Sequence, residues 1–272
     1  MARVGRVGNA EQNADWDPAT YLHYGDERAR PFVDLMARVR ADSPSVVVDL
    51  GCGEGALTAS LARRWPGARV TGLDSSETML AAAAAHAVPG RVDFVRGDVR
   101  DWRPAGPVDV LVTNAVLQWV PGHDRLLADW TEALAPGGWL AVQVPGNFGS
   151  PTHRLLGELC RSPRWAAQVR DVPRGTDAVL EPAGYYDVLS AAGLTADVWE
   201  TTYLHVLTGP DPVLAWVRAT QLRPVLAQLG EEDAVEFTAA FAAALREAYP
   251  MRSDGTTLLP FRRIFAVGNL SG

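Results

Sequence analysis

Val46-Val47-Val48-Asp49-Leu50-Gly51-Cys52-Gly53-Glu54-Gly55 is the stretch that decides the fold. A β-branched run passes without a break into a glycine-rich turn. Because Val46, Val47 and Val48 are apolar at successive positions, Ser45–Leu50 reads as a parallel strand buried on both faces. Residues 56–65 then read as a helix, stopped by Pro66 and Gly67. A turn of this kind lets a ligand approach the backbone closely and aims helix N-terminal amides at it. Gly51, Gly53 and Ala56 formally satisfy a dinucleotide fingerprint, but Asp49 opposes that reading. A carboxylate at the strand tip would repel a pyrophosphate in a low-dielectric crevice. It would attract a cation instead, such as the ammonium group of a methionine moiety.

Working outward, the same alternation continues. A helical pattern over 27–41 carries Phe32, Leu35, Met36 and Val39 on one face. Strands are expected at 69–74, 92–95, 108–113 and 139–144. Helices are expected at 76–87, capped by Ser75 or Ser76, and at about 122–135, ended by Pro136-Gly137-Gly138. Strands alternating with helices at this spacing predict an α/β fold, an open, doubly wound and mostly parallel sheet. The regularity breaks after Pro145. Residues 147–182 are rich in Pro, Gly and Arg, with one helix at 152–160. A helix at 185–192, a strand over 196–206, helices near 212–220 and 231–249, and a strand at 262–267 complete the reading. Residues 1–15 read as a loose polar arm and 16–272 as one domain. Its core is 45–145, with helical cap segments at about 147–190 and 210–256 over the active edge.

Composition narrows the possibilities. With 47% hydrophobic and 21% charged residues the chain is globular rather than disordered. No apolar run is long enough for a transmembrane helix. A net charge of −7 argues against a nucleic-acid partner, and no membrane partner is expected. All 25 basic residues are arginine, so lysine chemistry is excluded. Two cysteines are too few for a disulfide scaffold, and the N-terminus lacks an apolar signal core, so a cytoplasmic location is expected. The five histidines are scattered, without metal-ligand spacing, and no metal is expected.

Several polar residues fall at strand ends. Asp74, about twenty residues beyond the glycine turn, is placed to accept hydrogen bonds from both hydroxyls of a ribose. Asp98, after the third strand, is either an adenine contact or a turn residue beside Gly97. Asn114 and Gln118 lie among apolar neighbours at the end of the fourth strand, where they would wall the ligand crevice. Trp119 reads equally as part of that wall or as a core anchor. Arginines stand out at Arg28/Arg30, Arg223 and Arg262/Arg263, and their planar forks suit carboxylates. The aromatics Trp16, Tyr21 and Tyr24 precede a helix and are expected to form part of a lid.

Asp49-Leu50-Gly51-Cys52-Gly53-Glu54-Gly55, Asp74, Gly97-Asp98 and the strand tip at Asn114 resemble the motifs of class I S-adenosylmethionine-dependent methyltransferases. W-D-P-A-T-Y-L at 16–22, E-R-A-R-P at 27–31 and N-A-V-L-Q-W-V-P at 114–121 are similar to the trans-aconitate 2-methyltransferases. So are G-Y-Y-D at 184–187, W-E-T-T-Y at 199–203, L-R-P at 222–224 and L-L-P-F-R-R-I-F-A-V at 258–267. One departure is Gln221, where the family usually has glycine. The resemblance implies a Rossmann-like fold, S-adenosylmethionine as cofactor and methylation of a small polycarboxylic acid. The cofactor contacts it implies are Asp49, Gly51, Gly53, Asp74, Ser75, Met79, Asp98, Val99 and Asn114. For the acid, the expected contacts are Arg223, Arg28, Arg30, Arg262, Tyr24, Gln118 and Trp119. No side chain is expected to act as acid or base, because a carboxylate is already ionised at neutral pH. The alternatives are an O-methyltransferase for another acid or a hydroxyl substrate, and a non-catalytic cofactor-binding module. A nicotinamide-dependent dehydrogenase ranks below both.

Overall fold

The computed structural model describes residues 29–170 and 175–272. Helix α1 (Arg30–Met36) precedes β1 (Val46–Leu50), α2 (Ala56–Arg64), β2 (Arg69–Asp74), α3 (Glu77–Ala83), β3 (Val92–Arg96) and β4 (Val108–Asn114). Then follow α4 (His123–Thr131), β5 (Leu134–Pro145), α5 (Pro151–Arg161), α6 (Pro182–Ala191) and β6 (Leu194–Leu207). The last elements are α7 (Pro212–Val217), α8 (Arg223–Leu226), α9 (Glu231–Ala248) and β7 (Thr257–Leu270). The strands form one seven-stranded sheet in the order β3-β2-β1-β4-β5-β7-β6. The pairs among β1 to β5 are parallel, and β7 is antiparallel to both of its neighbours. This is the expected open sheet, with its order reversing at β1, so the crevice lies beyond the carboxyl ends of β1 and β4.

Side-chain alternation puts a core on each face. Phe32, Leu35, Val47, Val110, Val112, Ala141 and Phe265 pack under α1 and α2. Leu50, Leu111, Val142, Trp130, Tyr185 and Ile264 pack under α4 and α6. A third cluster joins Leu156 and Cys160 of α5, Val213 and Val217 of α7, Val225 of α8 and Phe237, Phe241 and Leu245 of α9. These helices therefore share an apolar centre of their own, with Leu259 of β7 joining it from the sheet. Among the described residues no helix is long and apolar enough to cross a membrane.

Several boundaries differ from the sequence reading for identifiable reasons. The fourth helix ends at Thr131, not near 135, because Val108 N–H donates to the Ala133 carbonyl and Leu134 already pairs with Val108. Pro136-Gly137-Gly138 lies within the strand span as an irregularity between that pair and Val110–Trp139, with Gly137 at φ +78°. The final strand is longer than 262–267 because β6 pairs with it from Leu270 back to Thr257. Pro260 is tolerated there because β5 has ended and one side of β7 has no ladder to supply. The helix at 212–220 continues instead as a π-helical turn over Arg218–Leu222 into α8. Pro224 cannot supply an N–H to that turn, and the wider winding accommodates it. Gln221 is not among the positive-φ residues, so its backbone needs no glycine.

Candidate active site

The cofactor end is held by backbone bonds. Gly51 N–H and Cys52 N–H both donate to the Leu73 carbonyl, at 2.7 and 3.0 Å, stapling the turn after β1 to the end of β2. Gly51 has φ +82°, and a Cβ there would lie 2.2 Å from Val116 Cγ2. Only glycine fits between these two loops. Gly53 N–H donates to Asp74 Oδ2 at 2.9 Å, and Ser76 N–H to Asp74 Oδ1 at 2.8 Å. Asp74 thus joins the glycine turn to the start of α3. Ser76, not Ser75, is the cap, accepting from Met79 N–H at 3.3 Å. Met79 itself is exposed.

Asp49 is buried at 3% exposure and accepts a bond from Thr58 Oγ1 at 2.6 Å. Burial pushes its carboxyl up to about 6; the Thr58 bond opposes that rise and the nearby Asp74 charge adds to it. A buried carboxylate of this kind is stabilised by a cationic partner. A Cβ on Gly53 would meet nothing within 4 Å, so the backbone there is bare toward open space. Bare glycine backbone, a cation-seeking Asp49 and a strand-end Asp74 fit the adenosyl and amino-acid ends of S-adenosylmethionine. Asp98 is differently occupied. Its carboxylate accepts from the Arg100 N–H and guanidinium at 2.9, 2.9 and 2.5 Å. Those bonds hold its pKa down at about 2. Val99 is buried in the core beside it.

The turn after β4 is unusual. Ala115 has φ +58°, the left-handed region that costs a residue with a Cβ about 1–2 kcal/mol. Both of its backbone groups are used, with Ala115 N–H donating to the Gln143 carbonyl at 2.9 Å and Gln118 Nε2 to the Ala115 carbonyl at 2.6 Å. Strain held in place this way fits a site whose shape matters. Gln118 is buried and Trp119 is 56% exposed, so Trp119 is not a core anchor.

The arginines separate by face. Arg262 on β7 pairs with Glu181 at 2.5 Å and with Glu200, which two of its nitrogens reach. One guanidinium and two carboxylates leave this trio at a net −1, and Arg262 and Glu181 stand on the wall of a cavity of about 350 Å³ that Asn147, Phe148 and Thr202 also line. Arg223 is exposed at the start of α8 in the cap. Arg30 opens α1 with its guanidinium 4.9 Å from the centre of the Tyr203 ring. Tyr203 OH donates to Asp34 Oδ2 at 2.6 Å. Burial and Asp34 push its hydroxyl pKa up, opposed by the charges of Arg30 and Arg263. The adjacent Arg263 thus shares a face with Arg30, while Arg262 points the other way. Arg28, Tyr24, Trp16 and Tyr21, with the proposed arm and lid, lie outside the described residues.

Sequence reasoning passed over Asp34, Gln143 and Tyr203. Gln143 had a visible signal, as the one polar residue in Leu140-Ala141-Val142-Gln143-Val144.

Fold and crevice together define a class I methyltransferase that uses S-adenosylmethionine. Residues 47–138 match the family model described as a methyltransferase domain. A putative methyltransferase from Bacillus halodurans superposes with a TM-score of 0.59 at 12% identity, covering 90% of this chain and 99% of that one. The YcgJ protein of Bacillus subtilis gives 0.56 at 13% identity, covering 89% and 97%. Both show the fold. Trans-aconitate 2-methyltransferase of Streptomyces avermitilis is 56% identical over 260 residues, 93% of this chain and 96% of that protein. The enzyme of that name from Mycobacterium tuberculosis is 48% identical over 258 residues, 94% and 97% of the two chains. The chain belongs to the trans-aconitate 2-methyltransferase family.

Proposed function

We propose that the chain methylates a carboxylate oxygen of trans-aconitate, giving a monomethyl ester. The observation that carries this reading is the 56% identity, nearly end to end, to a protein named for that activity. Bound between the glycine turn and Asp74, S-adenosylmethionine supplies a methyl group activated by a sulfonium charge. Asp49 holds the cationic end, Gly53 leaves its backbone open to the ligand, Gly51 lets the turn close against Val116, and Asp74 takes the ribose. Ser75, Met79, Val99 and Asn114 line the same end, with Asp98 reaching the adenine once Arg100 is displaced.

The acid's carboxylate is ionised near neutral pH, so the chain needs to supply no general base. Its residues orient the oxygen, hold the other carboxylates and exclude water. Charge is neutralised as the ester forms, which a dry site favours. Arg30 at the head of α1, together with Arg28, Tyr24, Gln118 and Trp119, is assigned to the acid. Arg223 serves from the cap. For Arg262 to take part, its fork must leave Glu181 and Glu200. We place the enzyme in the cytoplasm, a reading supported by two buried, unpaired cysteines, Cys52 and Cys160.

The test is incubation of the purified chain with methyl-labelled cofactor and a panel of di- and tricarboxylic acids. Label should enter trans-aconitate as a base-labile ester. Transfer to a hydroxyl compound, or cofactor binding with no acid turned over, would overturn the reading.

A further inference from the structure

Gln143 is fully buried on β5, two residues before the strand ends at Pro145. Neither its Nε2 nor its Oε1 has a hydrogen-bond partner. Buried amides almost always find partners, and leaving both ends unmet in a well-packed sheet is costly. Such a group is explained most simply by a ligand that supplies what the protein does not.

Its surroundings say which ligand. Asn114 on β4 is its register partner, and Asn114 Oδ1 is likewise buried without a partner. Parallel pairing puts both side chains on the α1 face, at the carboxyl ends of the two strands that flank the crevice. On the other side of β5, Pro145 pairs with Arg263 of β7. Two steps of alternation put Arg263 on that same face, where its charge reaches Tyr203 along with that of Arg30. Gln143 therefore stands between the cofactor end and a pair of arginines. Its main-chain carbonyl also holds the strained Ala115, whose neighbour Val116 abuts Gly51.

We propose that Gln143 is a substrate-recognition residue, donating its side-chain N–H to a carboxylate oxygen of the acid while Arg263 balances the acid's charge. An amide suits this position better than either a carboxylate or a cation. It donates a hydrogen bond without charge, so it neither repels the anion nor competes with the cationic cofactor for Asp49. The proposal rests on the carboxylate-methylating reading above and refines it. Wild-type turnover in the acid panel tests that reading, and variants at Gln143, assayed with whichever acid turns over, test this one.

In steady-state kinetics at saturating cofactor, Gln143→Leu should raise KM for the acid by about thirtyfold or more, with kcat within about threefold. Affinity for S-adenosylhomocysteine, measured by calorimetry, should stay within about threefold of wild type. Gln143→Glu matches the shape but loses the donor when ionised and regains one when protonated. Its KM relative to wild type should be worst near pH 7.5 and recover by about pH 5.5, whereas that of Gln143→Leu should stay flat. A structural role would not produce that recovery. If Gln143→Leu keeps wild-type KM and kcat, the amide is packing and the proposal fails. Should that variant lose its melting transition or its S-adenosylhomocysteine binding, Gln143→Glu decides alone. A pH profile parallel to wild type then overturns the assignment.

Discussion

The two ends of the crevice are built on opposite electrostatic plans. At the cofactor end, Asp49 and Asp74 sit on adjacent parallel strands, and the cations of α2, Arg63 and Arg64, fall in its last turn, away from the glycine loop. Toward β5, β7 and β6 the face turns to neutral amides and then to Arg263 and Arg30, with Asp34 engaged by Tyr203. A cationic ligand and an anionic one are thus each offered a complementary end, with Asn114 and Gln143 between them. The difference also shows how each end is held. The cofactor end is fixed by main-chain N–H groups of the glycine turn and of Ser76 that donate to the Leu73 carbonyl and the Asp74 carboxylate at the end of the next strand. The end proposed for the acid draws on side chains from α1, β5, β6 and β7, whose positions hang on the packing of the whole sheet.

The sharpest way to break this contrast is to disturb the cofactor end sterically. Gly51→Ala combines positive-φ strain with a Cβ 2.2 Å from Val116. It should cost about 2–5 kcal/mol in thermal or urea unfolding. Gly67→Ala, with nothing within 4 Å of its Cβ, should change stability little. Equal effects would show that the loop is not tightly coupled to the β4 turn.

Protonation of Asp49 comes next. Its pKa is raised to about 6, so the protonated form favours folding of the free protein. That contribution, up to about 3 kcal/mol, is full below pH 4 and lost as pH rises through 6. A cationic ligand needs the ionised form, so affinity runs the other way. Calorimetry with S-adenosylhomocysteine should find binding about tenfold weaker at pH 5 than at pH 7.5. Asp49→Asn should bind weakly at both. A variant with the wild-type pH dependence would remove Asp49 from the cationic role.

Asp74→Ala should weaken the same ligand by at least about tenfold, or 1.4 kcal/mol, since it removes the ribose acceptor and a staple of the glycine turn. Unchanged affinity would leave Asp74 only as the staple that joins the glycine turn to Ser76. The smallest effect sharpens the acid end. Arg262→Ala breaks exposed ion pairs, so stability should fall by less than about 1 kcal/mol. Its kcat/KM should stay within about threefold, whereas Arg30→Ala should lose more than about tenfold. The reverse ranking would move the acid to the Glu181 side of the sheet. For Arg223→Ala, a kcat/KM within about threefold of wild type would take the cap arginine out of acid binding.

Much of the molecule follows from local pattern. A β-branched run ending in Gly51-Cys52-Gly53 reads as strand, turn and helix from local pattern, because glycine takes the required positive φ at little cost. The alternation of strands and helices then leaves few topologies open. The strand-end positions of Asp49, next to last in β1, and Asp74, last in β2, were legible for the same reason. Tertiary structure alone decided the rest. Which face Arg262 and Arg263 each take on β7 is set by pairing with β5, where Pro145 meets Arg263, and with β6, where Thr202 meets Arg262, both far back along the chain. Tyr203 and Asp34 are 169 residues apart, and no local spacing announces their contact. The exposure of Trp119, the occupied carboxylate of Asp98 and the unpartnered amide of Gln143 belong to the same class. Each depends on what distant segments bring to the spot, because burial and hydrogen bonding are settled in space while a turn is settled along the chain.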